Sequence, residues 1–147
     1  MDKLKTEKMK KLLVLLLSVA AINVYAVTER PVTFAQLPQK AQQFITKHFS
    51  GVEFLSGKLD DGEYEVYLAD GTEIDFTSTG DWKDVDCHTR AVPAAIVPAA
   101  ITKYVKAKFP NNVIVKISKK YAGYEIELDN DLDLKFDKNG NFLTFDD

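Results

Sequence analysis

Apolar positions along the chain switch between two periods, and they do so twice. Leu37, Ala41, Phe44, Ile45 and Phe49 recur at helical spacing and make one apolar stripe. Pro38 sits where a first-turn proline is tolerated, and Gly51 marks the helix stop. Just upstream, Thr33-Phe34-Ala35-Gln36 has the spacing of a capping box and predicts a short helical turn. The period then falls to two. Glu63-Tyr64-Glu65-Val66-Tyr67-Leu68 alternates strictly, so Tyr64, Val66 and Leu68 share one strand face and Glu65 and Tyr67 the other. Further strands are predicted at Val52 to Lys58, Thr72 to Phe76 and Asp81 to Asp86. Asp60-Asp61-Gly62, Asp70-Gly71 and Ser78-Thr79-Gly80 turn the chain between them.

A shift of sixty residues brings the chain onto itself without a gap. It pairs Val32 with Val92, Pro38 with Pro98, Phe49 with Phe109, Tyr64-Glu65 with Tyr124-Glu125, Phe76 with Phe136 and Gly80 with Gly140. Conservative pairs such as Phe44/Tyr104, Val66/Ile126 and Trp82/Phe142 fill the intervals. Self-similarity at a fixed period signals repeated supersecondary units. The second copy puts Ile101, Tyr104, Val105 and Phe109 on its helix stripe. Its strands are expected at Val113 to Ser118, Gly123 to Leu128, Asp131 to Asp137 and Phe142 to Phe145.

The expected fold class is therefore α+β. Each unit is a helical hairpin plus a four-stranded antiparallel meander. Joined edge to edge, the two make a roughly eight-stranded sheet with helices on one face and solvent on the other. The expected organisation is a leader at 1–26, a first unit at 27–88 and a second at 89–147.

The leader rests on Lys10-Lys11, the apolar run Leu12 to Ala21, and the small residues Val24 and Ala26 at −3 and −1. That is the layout of a secretory signal cleaved after Ala26, with Met9 an equally good start to Met1. A periplasmic or secreted location is expected. Val27 stands where a lipid-bearing cysteine would be needed, so no membrane association is expected after cleavage. The formal charge of −3 hides an asymmetry, because five lysines lie in the leader. Without residues 1–26 there are fourteen basic and twenty acidic residues, a net −6. An acidic body argues against nucleic acid as a partner. Cys87 is the single cysteine, so no internal disulfide can form. A monomer is expected.

Catalytic patterns are few. Cys87-His88 brings nucleophile and base types together, but neighbours on an extended segment point to opposite faces. No Gly-rich phosphate loop, G-x-S-x-G or H-E-x-x-H occurs. No catalytic residue, metal ligand or cofactor is assigned, and an enzyme is not expected. Asp129-Asn130-Asp131-Leu132-Asp133 and Asp137-Lys138-Asn139-Gly140-Asn141 invite a calcium reading, but the second has the wrong glycine position for an EF-hand loop and no closing glutamate. Both coincide with hairpin turns of the other copy, where acids and amides serve local hydrogen bonding.

The alternation leaves one surface with functional potential. The candidate partner-binding residues are Glu65, Tyr67, Lys83, Glu125 and Glu127 on the open sheet face, with Trp82 and Tyr121 if they lie on that side, and Glu73, Asp75 and Lys135 as neighbours. Aromatics among charges suit a protein-binding surface, in which aromatic anchors carry most of the energy.

Leu37-Pro38 with Phe44-Ile45, Tyr64-Glu65-Val66, Asp70-Gly71 with Ile74-Asp75-Phe76, and Gly80-Asp81-Trp82 resemble the PepSY-like, β-lactamase-inhibitor-protein-like proteins exported by Bacteroides-type bacteria. Val97-Pro98, Tyr124-Glu125-Ile126, Leu134-Lys135-Phe136 and Asn139-Gly140 carry the resemblance through the second copy. It implies a tandem α+β unit whose concave sheet grips another protein. The chain departs from the inhibitors in lacking a disulfide pair in each repeat, so their inhibitory role does not carry over. The leading expectation is an exported, non-enzymatic protein-binding module; the alternative is an envelope protein that binds a small ligand or calcium.

Overall fold

Pro38, at φ −52°, stands immediately ahead of helix α1 (Gln39–His48) in a computed structural model that describes residues 29–146. Pro98 does the same for α2 (Ala99–Lys108). A proline there loses nothing, because the first helical N–H groups have no intrahelical acceptor. The expected leader, 1–26, lies outside the described residues.

Among the described residues, nine strands make one antiparallel sheet in which spatial order equals chain order. They are β1 (Arg30–Val32), β2 (Phe54–Asp60), β3 (Glu63–Leu68), β4 (Glu73–Phe76), β5 (Trp82–Asp86), β6 (Ile114–Lys120), β7 (Gly123–Leu128), β8 (Asp133–Asp137) and β9 (Phe142–Asp146). The expectation of eight falls one short because β1 contains Pro31 and carries no alternation. Proline is admitted to a sheet at an edge, and β1 is the N-terminal edge, paired only with β2.

The expected helical hairpin is also reduced. Its first arm is a single 3-10 turn, Phe34–Gln36, closed by Thr33 N–H donating to Gln36 Oε1 at 2.8 Å. Its counterpart is a turn in which Ile96 N–H donates to the Pro93 carbonyl. Three residues between an extended cap and Pro38 leave no room for a longer helix.

The alternation decides the layering. Val66, Leu68, Ile74, Phe76 and Val85 are essentially inaccessible to solvent, as are Ile117, Ile126, Leu128, Leu134 and Phe136 in the C-terminal half. They meet Ala41 and Ile45 of α1 and Ile101 and Val105 of α2 in one continuous core. The glycine turn before β5 lies tight on α1: a Cβ on Gly80, at φ +89°, would come within 2.9 Å of the Ala41 backbone nitrogen. Among the described residues, no helix lies over the other sheet face.

Candidate binding face

The period-two positions that miss the core line up across the strands in two rows. One runs Lys58, Glu65, Asp75, Asp84, Ser118, Glu125, Lys135, Thr144, each directly opposite the next. The second runs Ser56, Tyr67, Glu73, Asp86, Lys116, Glu127, Asp133, Asp146. Five candidates from the sequence, Glu65, Tyr67, Lys83, Glu125 and Glu127, lie on this face, as do Glu73, Asp75 and Lys135.

The rows contain carboxylates in direct opposition: Glu65 with Asp75, Asp75 with Asp84, Glu73 with Asp86, and Glu127 with Asp133. Like charges directly across a ladder destabilise a sheet. Lysines offset this in part. Lys58 bridges Glu29 at 3.2 Å and Glu65 at 3.0 Å, Lys83 reaches Glu63 at 2.5 Å, and Lys116 sits 3.9 Å from both Asp84 and Asp86. The centre stays acidic. Burial, followed by repulsion from Asp84, Glu65 and Glu63, pushes the Asp75 carboxyl up to about 6. Glu127 is raised as well, first by burial and then by Asp133 and Asp86. Tyr67 donates its hydroxyl to Glu65 Oε2 at 3.1 Å, and burial holds its phenol proton more tightly than usual.

The two candidates whose side the sequence leaves open lie elsewhere. Trp82 lies on the helix side, where its ring stacks on Phe44 with centroids 6.2 Å apart and Lys119 Nζ sits 4.0 Å over it. A β-bulge between Asp75 and Phe76 accounts for the switch, since it puts Trp82 opposite the core residue Phe76 while Lys83 reaches the open face. Tyr121 is 95% exposed on the turn between β6 and β7, with Lys138 Nζ 5.1 Å from its ring, and belongs to neither row. Of the three candidate aromatics, Tyr67 alone lies on the open face. This surface is organised by charge rather than by aromatic anchors.

Ser118, Asp84, Asp86 and Lys116 were not singled out in the sequence although they sit mid-row, and neither was Lys58 at the end of its row. Ser118 is buried and donates its hydroxyl to Asp84. The signal for them was register, which a single chain's alternation does not supply across the β5–β6 junction.

The remaining chemistry is local. The Cys87 thiol is buried, accepts from Thr72 Oγ1 at 3.8 Å, and is pushed up by burial, so it is held as the thiol rather than the nucleophilic thiolate. His88 is exposed, with Nδ1 3.5 Å from Asp86 and Nε2 3.9 Å from Glu73. These three form one group whose ligand atoms lie within 4.8 Å of one another. The acidic turns bind themselves: Asp137 Oδ1 accepts from the backbone of Asn139 and Asn141, and Asp129 Oδ1 from Asn112 Nδ2. Among the described residues no helix is long and apolar enough to cross a membrane.

Comparison with known proteins adds three findings. Residues 62–144 match the family model described as "Putative beta-lactamase-inhibitor-like, PepSY-like". A solved structure from Bacteroides thetaiotaomicron, described as a putative calcium-regulated periplasmic protein, is 38% identical, covers 81% of this chain and 97% of its own, and has a TM-score of 0.78. Two described as putative periplasmic proteins, both from Bacteroides vulgatus, are 37% and 35% identical, cover 81% and 83% of this chain and 99% of their own, and have TM-scores of 0.78. No curated protein matches the chain.

Proposed function

The chain belongs to the PepSY-like family, and from that membership we propose that it is a periplasmic, non-enzymatic module that binds another protein on its open sheet face. Inhibition of an envelope or secreted enzyme is one form such a module takes. The relatives described as periplasmic support the location, together with the leader read from the sequence. Element bounds recurring at a sixty-residue offset, as in α1 and α2 or β3 and β7, support two copies of one unit.

The observation that carries the binding reading is the like-charge ladder Glu65–Asp75–Asp84. Folding alone gives no reason to oppose carboxylates on three neighbouring strands. A partner bearing lysines or arginines relieves the repulsion on docking, and complementary charge also speeds encounter. The test is capture of envelope proteins on immobilised residues 27–147, repeated with Glu65→Lys and Asp75→Lys. The expected result is a saturable partner, weakened by salt and at least tenfold by either reversal. A partner indifferent to both changes, or no saturable partner, would overturn the reading.

A second reading is favoured by one relative, which is described as calcium-regulated, and by the oxygen-rich group of Glu73 and Asp86 beside His88. Calcium takes carboxylate oxygens, which these rows supply. Thermal melts with and without millimolar calcium test it. A calcium-dependent rise in Tm that Asp86→Asn removes supports it, and no rise rejects it.

A further inference from the structure

We propose that β9 is a self-complementary edge through which two copies of this chain pair antiparallel about a two-fold axis, extending each sheet into the other. The proposal departs from the expected monomer and concerns the sheet's end, so it stands or falls separately from the open-face reading.

The two ends of the sheet are unlike. The N-terminal end is closed by β1, three residues with Pro31 at the centre. The C-terminal end is a five-residue strand without proline, on which Leu143 is 57% and Phe145 58% exposed. Of the usual guards against strand addition β9 lacks proline; its bulge, at Leu143, precedes the residues offered for pairing, as the matching bulge at Lys83 precedes Asp84 in β5, which pairs with β6.

Inside the chain, the equivalent strand shows what such an edge accepts. Val85 lies opposite Ile74 as Phe145 lies opposite Leu134. Val85 is fully buried because β6 pairs along its outer side through three contacts: Asp84 with Ser118, Val85 with Ile117, and Asp86 with Lys116. On the open face of that junction Ser118 donates its hydroxyl to Asp84.

Backbone direction at β9 follows from the ladder. Leu128 N–H donates to the Leu132 carbonyl, so two steps along the same register Ile126 and Leu134 also exchange bonds. Leu134 therefore turns its N–H and C=O toward β7, and its pair with Phe145 is of the wide type without bonds. Phe145 must turn its own N–H and C=O outward, away from β8. A two-fold axis through Phe145 then makes a bonded pair with the second copy's Phe145.

The flanking residues complement themselves in that register. Thr144 falls opposite the second copy's Asp146, twice, which repeats the hydroxyl-to-carboxylate chemistry of the β5–β6 junction. The two Phe145 rings meet on the helix side, continuing the run in which Tyr104 stacks on Phe142 and Phe142 on Phe145. Head-to-tail pairing with β1 would instead meet Pro31, which has no N–H to give.

Sedimentation velocity on residues 27–147, from low to several hundred micromolar, tests the proposal. Three pairs bury little area, so a dimer in the micromolar range is expected. Phe145→Pro removes an outward donor without touching the β8–β9 ladder, and Thr144→Asp sets carboxylate against carboxylate. Each should weaken dimerisation at least tenfold while circular dichroism stays unchanged. If Phe145→Pro disturbs the fold, Phe145→Lys with Thr144→Asp carries the test. A monomer at every concentration, or a dimer indifferent to these changes or lost with Glu65→Lys instead, would overturn it.

Discussion

Asp75 and Asp84 stand directly opposite one another on β4 and β5, carboxylate against carboxylate at the centre of the sheet. The proton that eases this contact binds Asp75 up to about pH 6 in the fold, against an ordinary value of 3.8. A carboxyl raised by folding gives stability that is complete below the unfolded value and lost as pH climbs through the folded one. Asp75→Asn removes the charge without needing the proton. The variant should melt several degrees above the parent at pH 8, with the gap closing towards about pH 4. Thermal melts across that range check it, and a gap that does not change with pH would refute the assignment.

Trp82 and Tyr67 should separate stability from binding. Trp82→Ala opens the space beside Phe44 and should cost about 3 kcal/mol, read by urea denaturation, while leaving partner capture intact. Tyr67→Ala should weaken capture with a smaller loss of stability. Equal effects of both on capture would mean that the helix side also meets the partner.

Two glycines at corresponding hairpins, Gly62 in the β2–β3 turn and Gly123 at the start of β7, should respond differently. A Cβ on Gly123, at φ +154°, would lie 2.0 Å from the Phe136 carbonyl oxygen, whereas one on Gly62, at φ +79°, meets open space. Gly62→Ala should cost about 1 kcal/mol, from its backbone conformation alone. Gly123→Ala should cost clearly more, because β8 must move. Chemical denaturation of both variants decides, and equal costs would show that the strand relaxes freely.

Cys87 is 3% exposed, and burial keeps its thiol protonated. An aromatic disulfide reagent should label it at the rate of unfolding, with rapid modification only in denaturant. Fast labelling of the native protein would place the thiol at the surface.

Strands with clean alternation were legible in the sequence because burial on one face leaves a period of two. Val66 and Ile74 announce the core as plainly as Glu65 and Asp75 announce the face. β1 was not, since Pro31 reads as a break until an edge is there to receive it. The face of Trp82 is not readable from alternation, because a one-residue bulge in β5 sets it. The opposition of Asp75 and Asp84 needed register, which hydrophobic pattern does not encode within strands separated by a turn. The pairing of Asp84 with Ser118 lay further out of reach, because a whole helix intervenes.

Because spatial order equals chain order throughout the sheet, each hairpin between β2 and β5 closes over a short turn, and so does each between β6 and β9. β5 with β6 must wait for a long excursion through α2, as β1 with β2 must for one through α1. Closing either longer loop costs more chain entropy than any hairpin. Refolding should accordingly show two zippered halves before a slower docking step. Pulse-labelled hydrogen exchange would detect this as protection of Ile74 and Leu134 ahead of the amides that join β5 to β6. A chain released end first could build its N-terminal half while the remainder was still emerging.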